Sequence, residues 1–334
     1  MKIVVFTMVF FLSSFAIDIS YKGEISVKHE EQNFKAPISA IYDDIDKEQF
    51  IAMFESKALF GDYVAVANII GLEDTEDKNK DYFKPNELYI QKEFENFNIK
   101  VGRDIKYWGA LELTNITDIY NDKNVDLDKY DKEKKLGTNG LTVNYFFDNE
   151  DEIVTIISSK NDNISKYIKY SSSLDLLDGI DVAFAIKKDE KIENYLTYNT
   201  MIIDDNIFKL EYINTKLLKD SLDSFYEFGL GYEKSFYRVY GKSDIDLFLE
   251  YYKSDKIAQN SLIFQNDIFF GLKFDLNDVD SSEIIIAGIK DIDEDEFTYQ
   301  VEFNRRFFDT IKTKLSYIRN DYFDIVTIQA GYYF

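Results

Sequence analysis

The last twelve residues, Phe323-Asp-Ile-Val-Thr-Ile-Gln-Ala-Gly-Tyr-Tyr-Phe334, alternate without a break. Stepping back by twos from Phe334 gives Tyr332, Ala330, Ile328 and Val326, all apolar, while Thr327, Gln329, Gly331 and Tyr333 occupy the other positions. A side-chain period of two puts these sets on opposite faces of one strand. A strand of about ten residues, apolar outside and mixed inside, is long enough to cross a bilayer. It can do so only if both of its edges are hydrogen-bonded to neighbours, because lipid offers no partners to a bare backbone. The ending therefore constrains everything before it: the rest of the chain must supply strands that close a barrel, or this is an edge strand of a soluble β-protein.

The same alternation recurs along the chain. Tyr226, Phe228, Leu230 and Tyr232 alternate with Glu227, Gly229, Gly231 and Glu233; Phe297, Tyr299, Val301 and Phe303 alternate with Thr298, Gln300, Glu302 and Asn304. No helical stripe longer than two turns competes. Strands are predicted at 19–29, 48–60, 62–72, 86–94, 97–103, 138–147, 152–160, 164–172, 180–188, 195–203, 207–217, 225–234, 245–253, 264–274, 283–290, 297–306, 311–319 and 323–334. The fold class is all-β: a transmembrane, antiparallel, up-and-down β-barrel of about eighteen strands, or sixteen if the weak segments 164–172 and 283–290 drop out. With Phe334 ending in the periplasm, the long connections 30–47, 73–85 and 104–137 all fall on the outer side. Tight turns near Gly61, Asn96, Asp205 and Asp309 fall on the periplasmic side, which is the asymmetry expected of such barrels.

Composition removes most other readings. Residues 1–16 combine one Lys, an apolar run from Ile3 to Leu12 and Ser14-Phe15-Ala16, so a signal peptide is expected there and a single barrel domain over 17–334. Charges interrupt every later apolar run, leaving no candidate transmembrane helix. The absence of Cys excludes disulfides and thiolate metal sites. Aromatics make up 16% of the chain, a surplus that two interfacial girdles would use. Pro37 and Pro85 both fall in predicted loops. A net charge of −23 excludes nucleic acid as a partner. His29 is the only histidine and has no serine motif beside it, and no phosphate loop or nucleophile elbow occurs. No enzyme, cofactor or metal site is expected. The acidic runs around Asp43, Glu73 and Asp291 lack calcium-loop spacing and read as solvated outer-loop charge that biases the mouth toward cations.

The C-terminal strand resembles that of Gram-negative outer-membrane barrels, in which a final aromatic with alternating hydrophobics before it is read by the barrel-assembly machinery. By that resemblance Phe334, Tyr332, Ala330 and Ile328 form the sorting signal. A second resemblance lies in Leu88–Asn121, where a hairpin turning at Glu95-Asn96 is followed by Gly102-Arg103, Trp108-Gly109, Asn115 and Asp118. This is similar to a motif of porin-like barrels, with Ile116 where those proteins usually have Pro and a looser match at Glu112-Leu113. The resemblance implies an outer-membrane location, contact with lipid and lipopolysaccharide, a homotrimer as one option, and passage of small hydrophilic solutes. In general porins the third outer loop folds into the lumen. Carried over, it makes 104–137 the constriction, lined also by Trp108, with Arg103 and Lys106 facing Glu112 and Asp118 across its narrowest part and opposed charges choosing which ions pass. A cation-preferring porin is the expectation; the alternative is a non-conducting barrel used for adhesion or envelope structure.

Overall fold

The computed structural model describes residues 18–78, 81–112, 114–121, 136–160, 163–176, 179–218, 224–255 and 265–334. The expected signal peptide and residues 122–135 of the expected third loop lie outside these. The strands are β1 (Asp18–Phe34), β2 (Ile45–Phe60), β3 (Tyr63–Asp74), β4 (Tyr82–Glu93), β5 (Phe97–Asp104) and β6 (Thr138–Phe146). Then follow β7 (Glu152–Lys160), β8 (Asn163–Leu174), β9 (Ile180–Lys188), β10 (Ile192–Ile203), β11 (Asn206–Leu217) and β12 (Phe225–Tyr240). The last are β13 (Ser243–Ser254), β14 (Asn266–Asp275), β15 (Glu283–Asp291), β16 (Phe297–Phe307), β17 (Ile311–Arg319) and β18 (Phe323–Tyr333). Each pairs antiparallel with the next, and β18 pairs with β1, from Glu24 opposite Tyr333 to Phe34 opposite Phe323. The result is a closed barrel of 18 strands among the described residues, and both weak segments are strands in it.

The pleat sorts the side chains as the alternation requires. Directly opposed residues of a ladder share a face, so Ile286, Val301, Tyr317 and Val326 form one outward row across β15–β18. An inward row consists of Glu302, Ser316, Thr327 and Glu30, all buried. On β18 the apolar set points out, with Ile328, Tyr332 and Phe334 each about half exposed. Aromatic pairs band one end of the wall, among them Phe60–Tyr63, Phe94–Phe97 and Tyr332–Phe334. Tyr212–Tyr226 and Tyr299–Tyr317 lie toward the other end.

The end that carries Phe334 has tight turns, including Gly61-Asp62, Asp204-Asp205 and Gly241-Lys242. Gly61 and Gly241 take positive φ there, which glycine accepts without a Cβ penalty. Two details differ from the sequence reading. Strands β1 and β12 continue to Phe34 and Tyr240, past the apolar stretch that marks a bilayer crossing, because polar residues extend a ladder in water as well. Pro85 lies within β4 rather than in a loop, beside a register shift between Asn68 and Ile69, where proline's missing N–H is tolerated.

Candidate functional site

The interior is occupied by the connection that leaves β5. Its described part, residues 105–112 and 114–121, crosses to β11, β12 and β13 instead of arching over the rim. Two carboxylates on the inner wall receive it. Glu211 of β11, fully buried, accepts the backbone N–H groups of Ala110 (2.5 Å) and Leu111 (2.8 Å) on Oε1 and that of Thr117 (2.9 Å) on Oε2. Glu250 of β13 accepts the N–H of Glu112 at 2.6 Å and of Thr114 at 3.1 Å, with the Thr114 hydroxyl at 3.3 Å. A non-helical segment inside a barrel must find partners for its amides, and ionised acceptors make the stronger bonds. Between these clamps Leu111 is buried against Gly229 and Gly231 of β12. A Cβ on Gly231 would stand 2.7 Å from Leu111 Cδ2, and one on Gly229 would collide with Cδ1.

Gly109 makes the turn that brings Ala110 onto Glu211. Its φ is +110°, and a Cβ would run into Asn115 Oδ1 and reach 2.7 Å from Glu211 Oε1. Only glycine permits both the conformation and the approach.

The near end of the crossing is held by an apolar and aromatic cluster. Trp108, Ile116 and Tyr120 pack on inward side chains of the wall: Val154 and Ile156 of β7, Tyr167 of β8, Ala185 of β9, Leu196 of β10 and Ile213 of β11. Trp108 and Tyr167 meet edge to face at 6.2 Å, and Lys169 lies 5.7 Å over the indole. Tyr120 donates its hydroxyl to Asp104 at 2.8 Å, and Thr138 donates to the Tyr120 carbonyl at 2.9 Å. Burial and the neighbouring Asp104 carboxylate hold the Tyr120 phenol neutral far above the usual tyrosine range.

The residues singled out from sequence take different stations. Arg103 is in the wall, near the end of β5, paired in register with Leu88 and Asn139. Lys106 stands at the root of the crossing, its ammonium 2.7 Å from Asp104. Asn121 braces its backbone, accepting the Lys106 N–H at 2.9 Å and donating to its carbonyl at 2.5 Å. Burial pulls the Lys106 amine below the ordinary lysine value, with Asp104 opposing. Asp118 accepts from Asn121 at 2.8 Å, so Lys106, Asp118 and Asn121 form one knot near Trp108. Glu112 is at the far wall, where Lys209 of β11 reaches it at 3.1 Å and also pairs with Glu233 of β12. The structure thus brings Lys106 to Asp104, and Glu112 to Lys209.

Sequence reading did not find Glu211, Glu250 or Lys209. They differ from other inward charges only in what crosses the barrel to meet them. The room left by Gly229 and Gly231 is filled by Leu111.

No protein-family model matches the chain, and no curated protein does. Solved structures do. OccAB4 of Acinetobacter baumannii superposes with a TM-score of 0.67 at 10% identity, over 96% of this chain and 98% of that one. A BenF-like porin from Pseudomonas fluorescens gives 0.67 at 10% identity, over 96% and 99%. OccK2 of Pseudomonas aeruginosa, crystallised in complex with glucuronate, gives 0.66 at 10%, over 96% and 97%. At these identities the likeness is one of fold, and it extends over nearly the whole length of each chain.

Proposed function

We propose that this protein is an outer-membrane porin, a passive diffusion channel for small hydrophilic solutes with a preference for cations. The observation that carries the reading is the segment 105–112 and 114–121, held in the interior by the amide clamps of Glu211 and Glu250, a position that supports a narrowed bore. The outward apolar face and its aromatic bands suit a lipid setting with lipopolysaccharide on the outer side. The outward set Phe334, Tyr332, Ala330 and Ile328 is the segment the assembly machinery would read. Fold likeness to porins across 96% of the chain supports the same reading.

In mechanism, water fills the bore and the crossing segment sets its narrowest part. Fixed charges there, Lys209 with Glu112 and Glu233 on one side and Lys106 with Asp104 on the other, act on passing ions in a confined aqueous space. The net charge of −23 and the acidic outer loops favour cations at the mouth. OccK2 holds glucuronate, an anion, so selectivity is the property to measure first.

Planar-bilayer recording tests the proposal. Ohmic steps with a cation-biased reversal potential are expected. Arg103→Glu and Trp108→Ala should alter conductance or selectivity far more than Asp293→Asn in an outer loop. A folded barrel without steps would favour the adhesion or envelope-structure role, and native mass spectrometry in detergent would show whether the channel is a homotrimer.

A further inference from the structure

At the end of the barrel that carries Phe334, β12 outruns its neighbour. Its pairing with β11 stops at Lys234 opposite Asn206, so residues 235–240 have only β13 beside them. The apolar band closes at Phe236, with Lys234 lying 5.6 Å over its ring. Beyond it the register with β13 slips between Phe236 and Tyr240, and three residues, Tyr237, Arg238 and Val239, bulge out. Tyr237 is 71% exposed and Tyr240 87%.

The bulge is held in an unusual shape by a dedicated network. Arg238 has φ of +54° and Asn277, in the adjacent β14–β15 turn, +51°, the left-handed region that a long side chain such as Arg rarely adopts. Asp244 Oδ1 accepts the Arg238 N–H at 2.7 Å, and Asn277 donates its amide to Asp244 Oδ2 and to the Lys242 carbonyl, both at 2.8 Å. These bonds frame a cleft of about 880 Å³ lined by Tyr237, Arg238, Gly241, Lys242, Asp244 and Asn277. Inward cations such as Lys28, Lys47, Lys100, Lys169 and Lys209 are matched by carboxylates. Among the described residues neither Arg238 nor Lys242 has an ion pair within 4.0 Å, although the Arg238 charge does act on Asp244. The one acid lining the cleft, Asp244, has both oxygens engaged by the network.

We propose that this cleft binds a phosphate group, with Arg238 and Lys242 as its cationic ligands. A planar guanidinium takes two oxygens of an oxyanion side by side, and a separate ammonium takes a third from another direction. Tetrahedral phosphate presents oxygens in that arrangement, whereas a planar carboxylate would satisfy the guanidinium alone. The cleft begins where the apolar band ends, which is the depth of lipid headgroups on that face of a bilayer. The phosphate can therefore come from a phospholipid headgroup or from a free phosphate in solution.

The test uses the whole folded protein in detergent, with two probes, dioctanoyl phosphatidylglycerol and inorganic phosphate, followed by native mass spectrometry and ³¹P NMR. Binding of the lipid that inorganic phosphate does not displace identifies a headgroup site; displacement identifies a site for free phosphate. In either case the Arg238→Gln/Lys242→Gln pair should weaken binding by about tenfold or more. Should that pair fail to give a heat-modifiable band, Lys242→Glu alone, which leaves the backbone network intact, should weaken it by a similar factor. Absence of binding by both probes, or equal binding by the wild type and a folded variant, would overturn the proposal.

Discussion

Phe334 lays its ring across the backbone of Gly23, so closely that any Cβ on Gly23 would lie inside it. The two residues also exchange backbone hydrogen bonds, Gly23 N–H to the Phe334 carbonyl at 2.8 Å and Phe334 N–H to the Gly23 carbonyl at 3.1 Å. This is the seam where the first strand meets the last. Gly23→Val should push the ring off and strain the closure, at a cost of about 1–3 kcal/mol. The measurement is the fraction of heat-modifiable protein after refolding, with the unfolding midpoint; an unchanged value would mean that the ring simply turns aside.

Glu211 and Glu250 together hold five loop amides. Replacing Glu211 by Ala leaves three buried N–H groups without their acceptor, a loss on the order of 3 kcal/mol or more. The barrel wall does not depend on those bonds. The expected result is a folded barrel with a loosened crossing segment: higher mean conductance and added open-channel noise, larger still in the Glu211→Ala/Glu250→Ala double variant.

Gly109 and Gly61 make a matched comparison. Both have positive φ, but a Cβ at Gly61 meets open space while one at Gly109 strikes Asn115 and Glu211. Gly61→Ala should cost about 1 kcal/mol and leave conductance alone. Gly109→Ala should displace the crossing segment and change single-channel conductance with little effect on the unfolding midpoint. Equal electrical behaviour in the two would mean that this segment does not border the conducting path.

Lys106 offers a pH test. Burial favours its neutral form and lowers its value below 10.5, so the folded protein binds fewer protons there than the unfolded chain does. The charge is then lost below the ordinary lysine range as pH rises, and stability contributed at this site rises with pH across the same window. Cation selectivity should therefore step upward before free lysines titrate. Lys106→Met should remove that step from the reversal potential recorded against pH.

The wall was legible because lipid on one side and water on the other impose a period of two, and Phe228, Leu230 and Tyr232 display it against Glu227, Gly229 and Gly231. Strand ends were less so. Nothing in His29-Glu-Glu-Gln-Asn-Phe34 marks a strand once it leaves the apolar band, yet it pairs with β18 to the end. The resemblance around Trp108 singled out the connection after β5. Its landing place stayed hidden, since Glu211 and Glu250 are two acids among 62 and only the closed barrel brings them opposite Leu111 and Thr114. The inward cluster of Ile156, Tyr167 and Ile213 also contradicts a simple polar-inside rule. Those side chains are apolar because a segment of the protein, rather than water, covers them.

The amide clamp has an evolutionary consequence. Wall carboxylates that grip main chain are indifferent to most of the side chains they hold, so positions such as Glu112 and Asn115 can be exchanged while the path of the segment is kept. A lineage could retune what passes by altering a few letters on a fixed span, leaving the cylinder and its means of insertion untouched.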